Sequence, residues 1–146
     1  MGNAYFLLKD MNNAERFTDK ALLLDPVNPL ALSQMADIIL LKKGPVEKAM
    51  QFADKSVAAS PPFYQPYAAM GTVLIVMGRE EEAEEYFKKA HEKGLRGYLL
   101  PYTKARAYLI KGDKDKAEAI LREIATMEDA PDELRTIIKR DQGRLL

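Results

Sequence analysis

The sequence predicts an all-α protein: an α-solenoid of antiparallel helix pairs that ends in a single capping helix. Small residues recur at a nearly constant distance, since Ala14, Ala49, Ala83 and Ala117 follow one another at intervals of about 34 residues. The segments between them carry apolar residues with helical periodicity. Glycine, proline and aspartate separate these segments and mark turns. A period of this length is typical of stacked helical repeats.

We call such a series of recurring small residues a ladder. Two further ladders run along the chain with the same period. Their members are Gly2, Ala36, Gly71 and Ala105, and Ala21, Ser56 and Ala90. Two antiparallel helices approach closely only where side chains are small, so the ladders mark the expected helix contacts. Within each unit, the distance along the sequence from the Gly2-type residue to the Ala14-type residue is the same in three of the units. It is one residue longer in the second unit, from Ala36 to Ala49. The extra residue falls in the turn around Gly44–Pro45, where an insertion is tolerated.

The first predicted unit, residues 1–28, contains only the end of a first helix, up to about Lys9. We expect a turn at Asp10, which caps a second helix from about Met11 to Leu24. Asp25–Pro26 ends that helix. This start is expected either for a piece of a longer repeat array or for a degenerate first repeat.

The second and third predicted units are residues 29–63 and 64–97. Asn28 is a candidate N-cap with Pro29 at the first helical position, which is a favoured arrangement. The predicted helices of these units cover about 29–42, 46–59, 64–77 and 80–92.

The fourth predicted unit is residues 98–130, with helices at about 99–110 and 113–127. The segment 131–146 follows as a separate element, with one helix from Asp132 to about Gly143. A solenoid needs a terminal element with a polar outer face, and this helix has the pattern for that role.

Composition argues against several classes of function. Lys and Arg together number 22, as do Asp and Glu, so no net charge attracts nucleic acid or an anionic membrane. The chain has no cysteine, no apolar run long enough to span a membrane and no signal-peptide pattern at its start. We therefore expect a soluble protein, with the cytoplasm favoured, that neither binds nucleic acid nor inserts into a membrane.

The sequence shows no pattern of catalytic or metal-binding residues. His91 is the only histidine, and we interpret it as a surface residue near a helix end. The acidic run Glu80–Glu85 lacks the loop geometry of calcium sites, so a solvated helix start is the simpler interpretation. We expect no cofactor, no metal ion and no enzymatic activity.

A helix–turn–helix unit of about 34 residues resembles the tetratricopeptide repeat. In the third unit the resemblance rests on Gly71, Leu74, Ala83, Phe87 and Ala90. The other units match through Ala36, Ile39, Ala49, Ser56 and Pro61; through Gly2, Tyr5, Ala14, Ala21 and Pro26; and through Ala105, Tyr108, Gly112–Asp113 and Ala117. The fourth unit departs from the pattern at Ile124, which stands where the others have a small residue. That departure suits a unit that meets a cap.

The resemblance implies a right-handed superhelix whose first helices line a concave face that holds a peptide or helix of another protein. It places the following residues on that face: Leu30, Ser33, Asp37, Leu40, Gln65, Ala68, Ala69, Thr72, Ile75, Leu99, Tyr102, Arg106 and Leu109. Co-chaperones of the family clamp a C-terminal carboxylate there with Lys, Asn and Arg. The matching positions here lack that set, so the implied surface is mildly apolar, with Asp37 and Arg106 as its polar points.

Three alternatives remain open at this stage. The concave face could be partly filled by the protein itself or by a second copy. The chain could be a structural scaffold that forms homo-oligomers through its open first repeat. It also resembles small bacterial secretion chaperones with three repeats and an apolar concave face. RNA-binding relatives with helical-hairpin repeats have a basic lining, which this sequence does not carry.

Overall fold

The computed structural model describes residues 2–59 and 61–140, and for residues 2–10 it describes only the course of the helix. Within this part of the chain there are eight α-helices and no strand. They are α1 (Gly2–Leu24), α2 (Pro29–Leu41), α3 (Val46–Val57), α4 (Gln65–Val76), α5 (Glu80–Glu92), α6 (Leu99–Lys111), α7 (Lys114–Ala125) and α8 (Asp132–Arg140). The predicted all-α solenoid is confirmed.

The helices stack in the order of the chain. The helices α2 and α3, α4 and α5, and α6 and α7 form three pairs, and α4 packs on both helices of the pair before it. The next pair continues the stack because α6 packs on α4. At the two ends, α1 packs on α2 and α8 packs on α7. None of the described helices is long and apolar enough to cross a membrane.

The helix ends follow local sequence signals. The side chain of Asn28 accepts hydrogen bonds from the backbone N–H groups of Leu30 (3.0 Å) and Ala31 (3.1 Å), which confirms it as the N-cap of α2. Asp113 caps α7 by accepting from the N–H of Lys116 at 3.3 Å. The predicted bounds of α2 to α7 differ from the observed ones by at most two residues. The predicted extension of α8 to Gly143 lies outside the described residues.

The first helix differs from its prediction, because α1 is continuous and has no turn at Asp10. In the later units, the turn between the paired helices contains a residue with positive φ: Lys43 (59°), Gly78 (81°) and Gly112 (94°). The equivalent residue in the first unit, seven positions after Gly2, is Lys9. A lysine adopts positive φ at a cost that glycine avoids, and no glycine follows it here as Gly44 follows Lys43. The helix therefore continues through this position.

The paired helices α4 and α5 approach each other closely at Gly71. A Cβ atom on Gly71 would lie 2.8 Å from two ring atoms of Phe87 on α5. Phe87 is itself buried, and it belongs to the main core cluster together with Leu74 and Ala83. Glycine at this position therefore lets the ring of one helix rest on the backbone of the other.

Acidic residues at the start of α5 form ion pairs with lysines of the fourth unit. The Glu80 carboxylate accepts a hydrogen bond from Lys116 Nζ at 2.7 Å, and that of Glu84 accepts one from Lys104 Nζ at 3.1 Å. The bond from Lys116 lowers the pKa of Glu80. These exposed ion pairs contribute little stability each, but they connect the third unit to the fourth. The interpretation of this run as only a solvated helix start is therefore incomplete.

A second cluster closes the C-terminal end of the stack. Ile124 on α7 and Ile138 on α8 are both buried in it. The loop before α8 is also tied to the loop before α6, because Asp129 Oδ2 accepts a hydrogen bond from the N–H of Tyr98 at 2.8 Å. A large residue at Ile124 is accommodated because the short helix α8 covers it, where earlier units meet a further helix pair.

Replacing Gly71 by alanine should destabilise the fold, because the new methyl group overlaps the buried ring of Phe87. Overpacking of a core costs about 1–3 kcal/mol, which outweighs the gain of roughly 1 kcal/mol from removing a glycine inside a helix. Urea unfolding followed by circular dichroism would measure the change. In a double-mutant cycle, Phe87→Leu should lose less stability in the Gly71→Ala background than in the wild type. Additive effects would contradict this contact.

Candidate functional site

The helices predicted to line the concave face are α2, α4 and α6, and α4 packs on both of the others. Asp37 on α2 and Arg106 on α6 approach each other to 3.5 Å. Thr72 on α4 is the equivalent residue of the unit between them. Two side chains from α2 and α6 can meet only on a common side of α4, and we call this side of the stack the inner face. Residues four and seven positions earlier on each helix share that face.

Six of the predicted contact residues are buried within the chain. They are Ser33, Leu40, Ala68, Ala69, Thr72 and Ile75. Leu40 and Ile75 belong to the main core cluster, and Ala68 packs in a smaller cluster with Ala90 and Leu95. In the free chain these six side chains are packed between helices, so they present little accessible surface, and their place in a partner-binding site stays a prediction.

The hydroxyl groups among these buried residues are satisfied within their own helices. Ser33 Oγ donates to the backbone oxygen of Leu30 at 2.8 Å, and Thr72 Oγ1 donates to that of Ala68 at 2.9 Å. Neither hydroxyl needs a partner molecule to complete its hydrogen bonding. The inner face is therefore chemically closed at Ser33 and Thr72.

The other predicted residues remain accessible. Leu30, Leu99 and Tyr102 are 39%, 42% and 39% exposed, which is high for large apolar side chains. Gln65 and Leu109 are half-buried. The accessible apolar surface of the inner face is thus provided by α2 and α6, at the end where both helices begin.

Asp37 and Arg106 form a polar bridge over the middle of this face. Arg106 Nη2 donates to Asp37 Oδ2 at 3.5 Å, which is the outer limit of a hydrogen bond. The other carboxylate oxygen of Asp37, Nε of Arg106 and Oε1 of Gln65 are buried without a hydrogen-bond partner among the described residues. Buried polar atoms in folded proteins are normally paired, so the Asp37–Arg106 bridge and Gln65, which lies two turns before Thr72 on α4, are under-satisfied.

The bridge also sets the protonation of Asp37. Burial raises the pKa of its carboxyl above the ordinary 3.8, while the charge and the hydrogen bond of Arg106 act in the opposite direction. The folded state therefore holds this proton more readily than the unfolded chain does. The resulting contribution to stability is full below pH 3.8 and is lost as the pH rises through the folded pKa.

Two open grooves lie beside the inner face. One, of about 380 Å³, runs between α1 and α2 and is lined by Ala14, Phe17, Thr18, Gln34, Asp37 and Ile38. The other, of about 310 Å³, lies between α5 and α6 and includes Phe87, His91 and Leu100. His91 is exposed, and its Nδ1 lies 3.2 Å from the backbone oxygen of Leu95. Among the described residues, no group of His, Asp and Glu side chains is arranged to hold a metal ion.

A family model for the tetratricopeptide repeat matches residues 1–28, 64–92 and 102–130. These segments cover more than half of the chain. The chain belongs to the tetratricopeptide repeat family. The repeats of this family generally mediate interactions between proteins, and its members are generally not enzymes.

Two known proteins show the same likeness. The chain is 34% identical over 125 residues to the protein STIP1 homolog of Dictyostelium discoideum, an alignment that covers 82% of this chain and 21% of that protein. The chain thus spans about a fifth of that relative's length. A crystal structure of TTC0263, a thermophilic tetratricopeptide repeat protein of Thermus thermophilus, superposes with a TM-score of 0.54 at 25% identity. That superposition covers 98% of this chain and 80% of the other.

The titration of Asp37 should show both effects on its carboxyl. We expect a midpoint above 3.8 in the wild type and a further rise in Arg106→Gln, because the opposing positive charge is removed. Carbon-detected NMR of the carboxyl resonance would measure both values. Arg122→Gln, which removes an arginine on α7 that contacts Glu118, should leave the midpoint unchanged. A wild-type midpoint at or below 3.8 would refute the effect of burial.

Proposed function

We propose that this chain is a non-enzymatic adaptor that holds an extended or helical segment of another protein on its inner face. The observation that carries the proposal is the set of exposed apolar side chains Leu30, Leu99 and Tyr102 at the open end of that face. They stand at positions that the repeat brings to a common side of α4. Large side chains exposed together in this way are typical of a surface that is covered by a partner.

The residues around these side chains suit a peptide. A tyrosine can bury its ring and keep its hydroxyl hydrogen-bonded, which makes it a common anchor in protein interfaces. The α4 residues beneath it are buried between helices, so a partner contacts the exposed side chains of α2 and α6 rather than α4. A segment with apolar residues at regular intervals fits such a groove.

The under-satisfied polar groups supply the second element of recognition. Asp37 and Gln65 offer carboxylate and amide oxygens that accept hydrogen bonds, and Arg106 offers guanidinium N–H groups that donate them. A bound peptide carries both kinds of partner along its backbone. We expect the long side chain of Arg106 to turn from Asp37 towards the peptide, because their present contact is at the limit of hydrogen-bond length. Polar groups of both signs also suit a partner with little net charge.

The proposal is tested with peptides selected from a random displayed library on the immobilised chain. The wild type should enrich peptides with spaced apolar residues, and Tyr102→Glu should weaken their binding at least about tenfold, because an anchoring contact is replaced by a charge. Fluorescence anisotropy with a labelled selected peptide gives the affinities. Because Tyr102 is partly exposed, the variant should keep the helical circular dichroism of the wild type.

Ile137→Glu is the matched control for this experiment. Ile137 is 41% exposed, much like Tyr102, but it lies on α8, away from the helices α2, α4 and α6. Its replacement should leave peptide affinity unchanged. Equal binding by the wild type and Tyr102→Glu would contradict the proposed site, as would a selection that enriches no peptide.

A further inference from the structure

The face of α1 that borders the groove beside α2 lacks the helix that covers the equivalent faces of α3, α5 and α7. Ala49, Ala83 and Ala117 are completely buried, because each lies against the first helix of its own unit. Ala14 is the fourth member of this ladder and is exposed. On the same face of α1, Phe17 is 71% exposed, whereas its equivalents Phe52, Tyr86 and Ile120 are partly buried. The first unit therefore presents a helix-binding face with no helix on it among the described residues.

The groove between α1 and α2 lies where the first helix of a complete unit would pack. In the later units, a first helix packs on the second helix of its own unit and on the first helix of the next, as α4 does on α5 and α6. The corresponding space in the first unit is bounded by α1 and α2. This is the groove of about 380 Å³ that contains Ala14 and Phe17 on one wall and Ile38 on the other.

The chain itself contains a sequence that matches this space. Gly2 belongs to the ladder of Ala36, Gly71 and Ala105, and it precedes Ala14 by the same step by which Gly71 precedes Ala83. A turn at Lys9 would bring residues 2–9 onto the groove of their own chain. The continuous helix α1 instead carries these residues away from it.

We propose that two copies of the chain exchange this segment, so that residues 2–9 of each copy occupy the groove between α1 and α2 of the other. The two α1 helices then lie antiparallel about a two-fold axis. Both sets of contacts form together, because the position of Gly2 in one copy meets Ala14 in the second and the reverse. Each contact is the one that a closed first unit would make within a single chain. The inference does not use Leu99 or Tyr102, although its groove shares Asp37 with the proposed peptide site.

The lack of cysteine in the chain allows a direct test of the exchange. A Gly2→Cys protein is mixed with an Ala14→Cys protein under mild oxidation. The exchanged dimer should give a disulfide-linked species that contains one chain of each kind, identified by mass spectrometry. Gly2→Cys mixed with Arg16→Cys is the control, because Arg16 is exposed on a different face of α1 and should not react. Absence of the mixed species, or equal yield with Arg16→Cys, would overturn the proposal.

Light scattering after size exclusion gives an independent measurement. The full chain should be a dimer, and Phe17→Glu should make it monomeric by placing a charge in the groove. Leu23→Glu is matched to it: Leu23 is 83% exposed on the same helix but lies about 120° around the helix axis from Phe17, so the dimer should persist. A monomeric wild type overturns the proposal, whether its groove is empty or closed by its own residues 2–9.

Lys9→Gly separates exchange from simple pairing of α1 faces. Glycine favours the turn that the later units contain and weakens the continuous helix, so the dissociation constant of an exchanged dimer should rise about tenfold. A dimer that only pairs the exposed faces of α1 does not require the continuous helix that keeps residues 2–9 away from the groove of their own chain. A dimer that is lost in Phe17→Glu but unchanged in Lys9→Gly would therefore overturn the exchange.

Discussion

The close approach of paired helices at small residues is the constraint on which the rest of this structure depends. Gly71 lets the ring of Phe87 rest against the backbone of α4, and the fully buried Ala83 lies on the facing helix. With the helices this near, large side chains on both sides interlock into one core that continues from pair to pair. The period of the small residues is therefore also the period of the stack, and it fixes which residues of successive units stand at equivalent positions on the inner face.

The close packing of the helices limits the surface that is available to a partner. The middle helix of the inner face, α4, is enclosed by its neighbours along most of its length, so its small residues contribute to packing rather than to contact with a partner. Accessible side chains remain only on the flanking helices, where Leu99 and Tyr102 are exposed, and at the bridge where Arg106 reaches Asp37. The available surface is thus narrower and more polar at its centre than an open apolar groove.

The ladders were sufficient to predict the fold class, the helix pairs and most helix ends, because caps and turns such as Asn28 and Gly78 act locally. Two features depended on more than local sequence. The conformation of α1 depends on the difference in free energy between a turn at Lys9 and a continuous helix. The sequence pattern of the unit predicted the turn. The burial of Thr72 and Ala69 depends on how tightly successive pairs wind, which is a tertiary property. The sequence identified Asp37 and Arg106 as polar points, but their contact is set by the same winding.

Asp37 lies on both the inner face and the wall of the groove between α1 and α2. Its carboxylate contacts Arg106 on the inner face and also lines the groove between α1 and α2. Whatever fills that groove removes water from one side of the carboxylate, and a more deeply buried carboxylate depends more strongly on its arginine. A peptide that draws Arg106 away from Asp37 would leave this charge without its partner. If both proposed binding events take place, their free energies are linked through this one side chain. The linkage is then reciprocal: occupancy of the groove opposes release of Arg106, and release of Arg106 opposes occupancy of the groove.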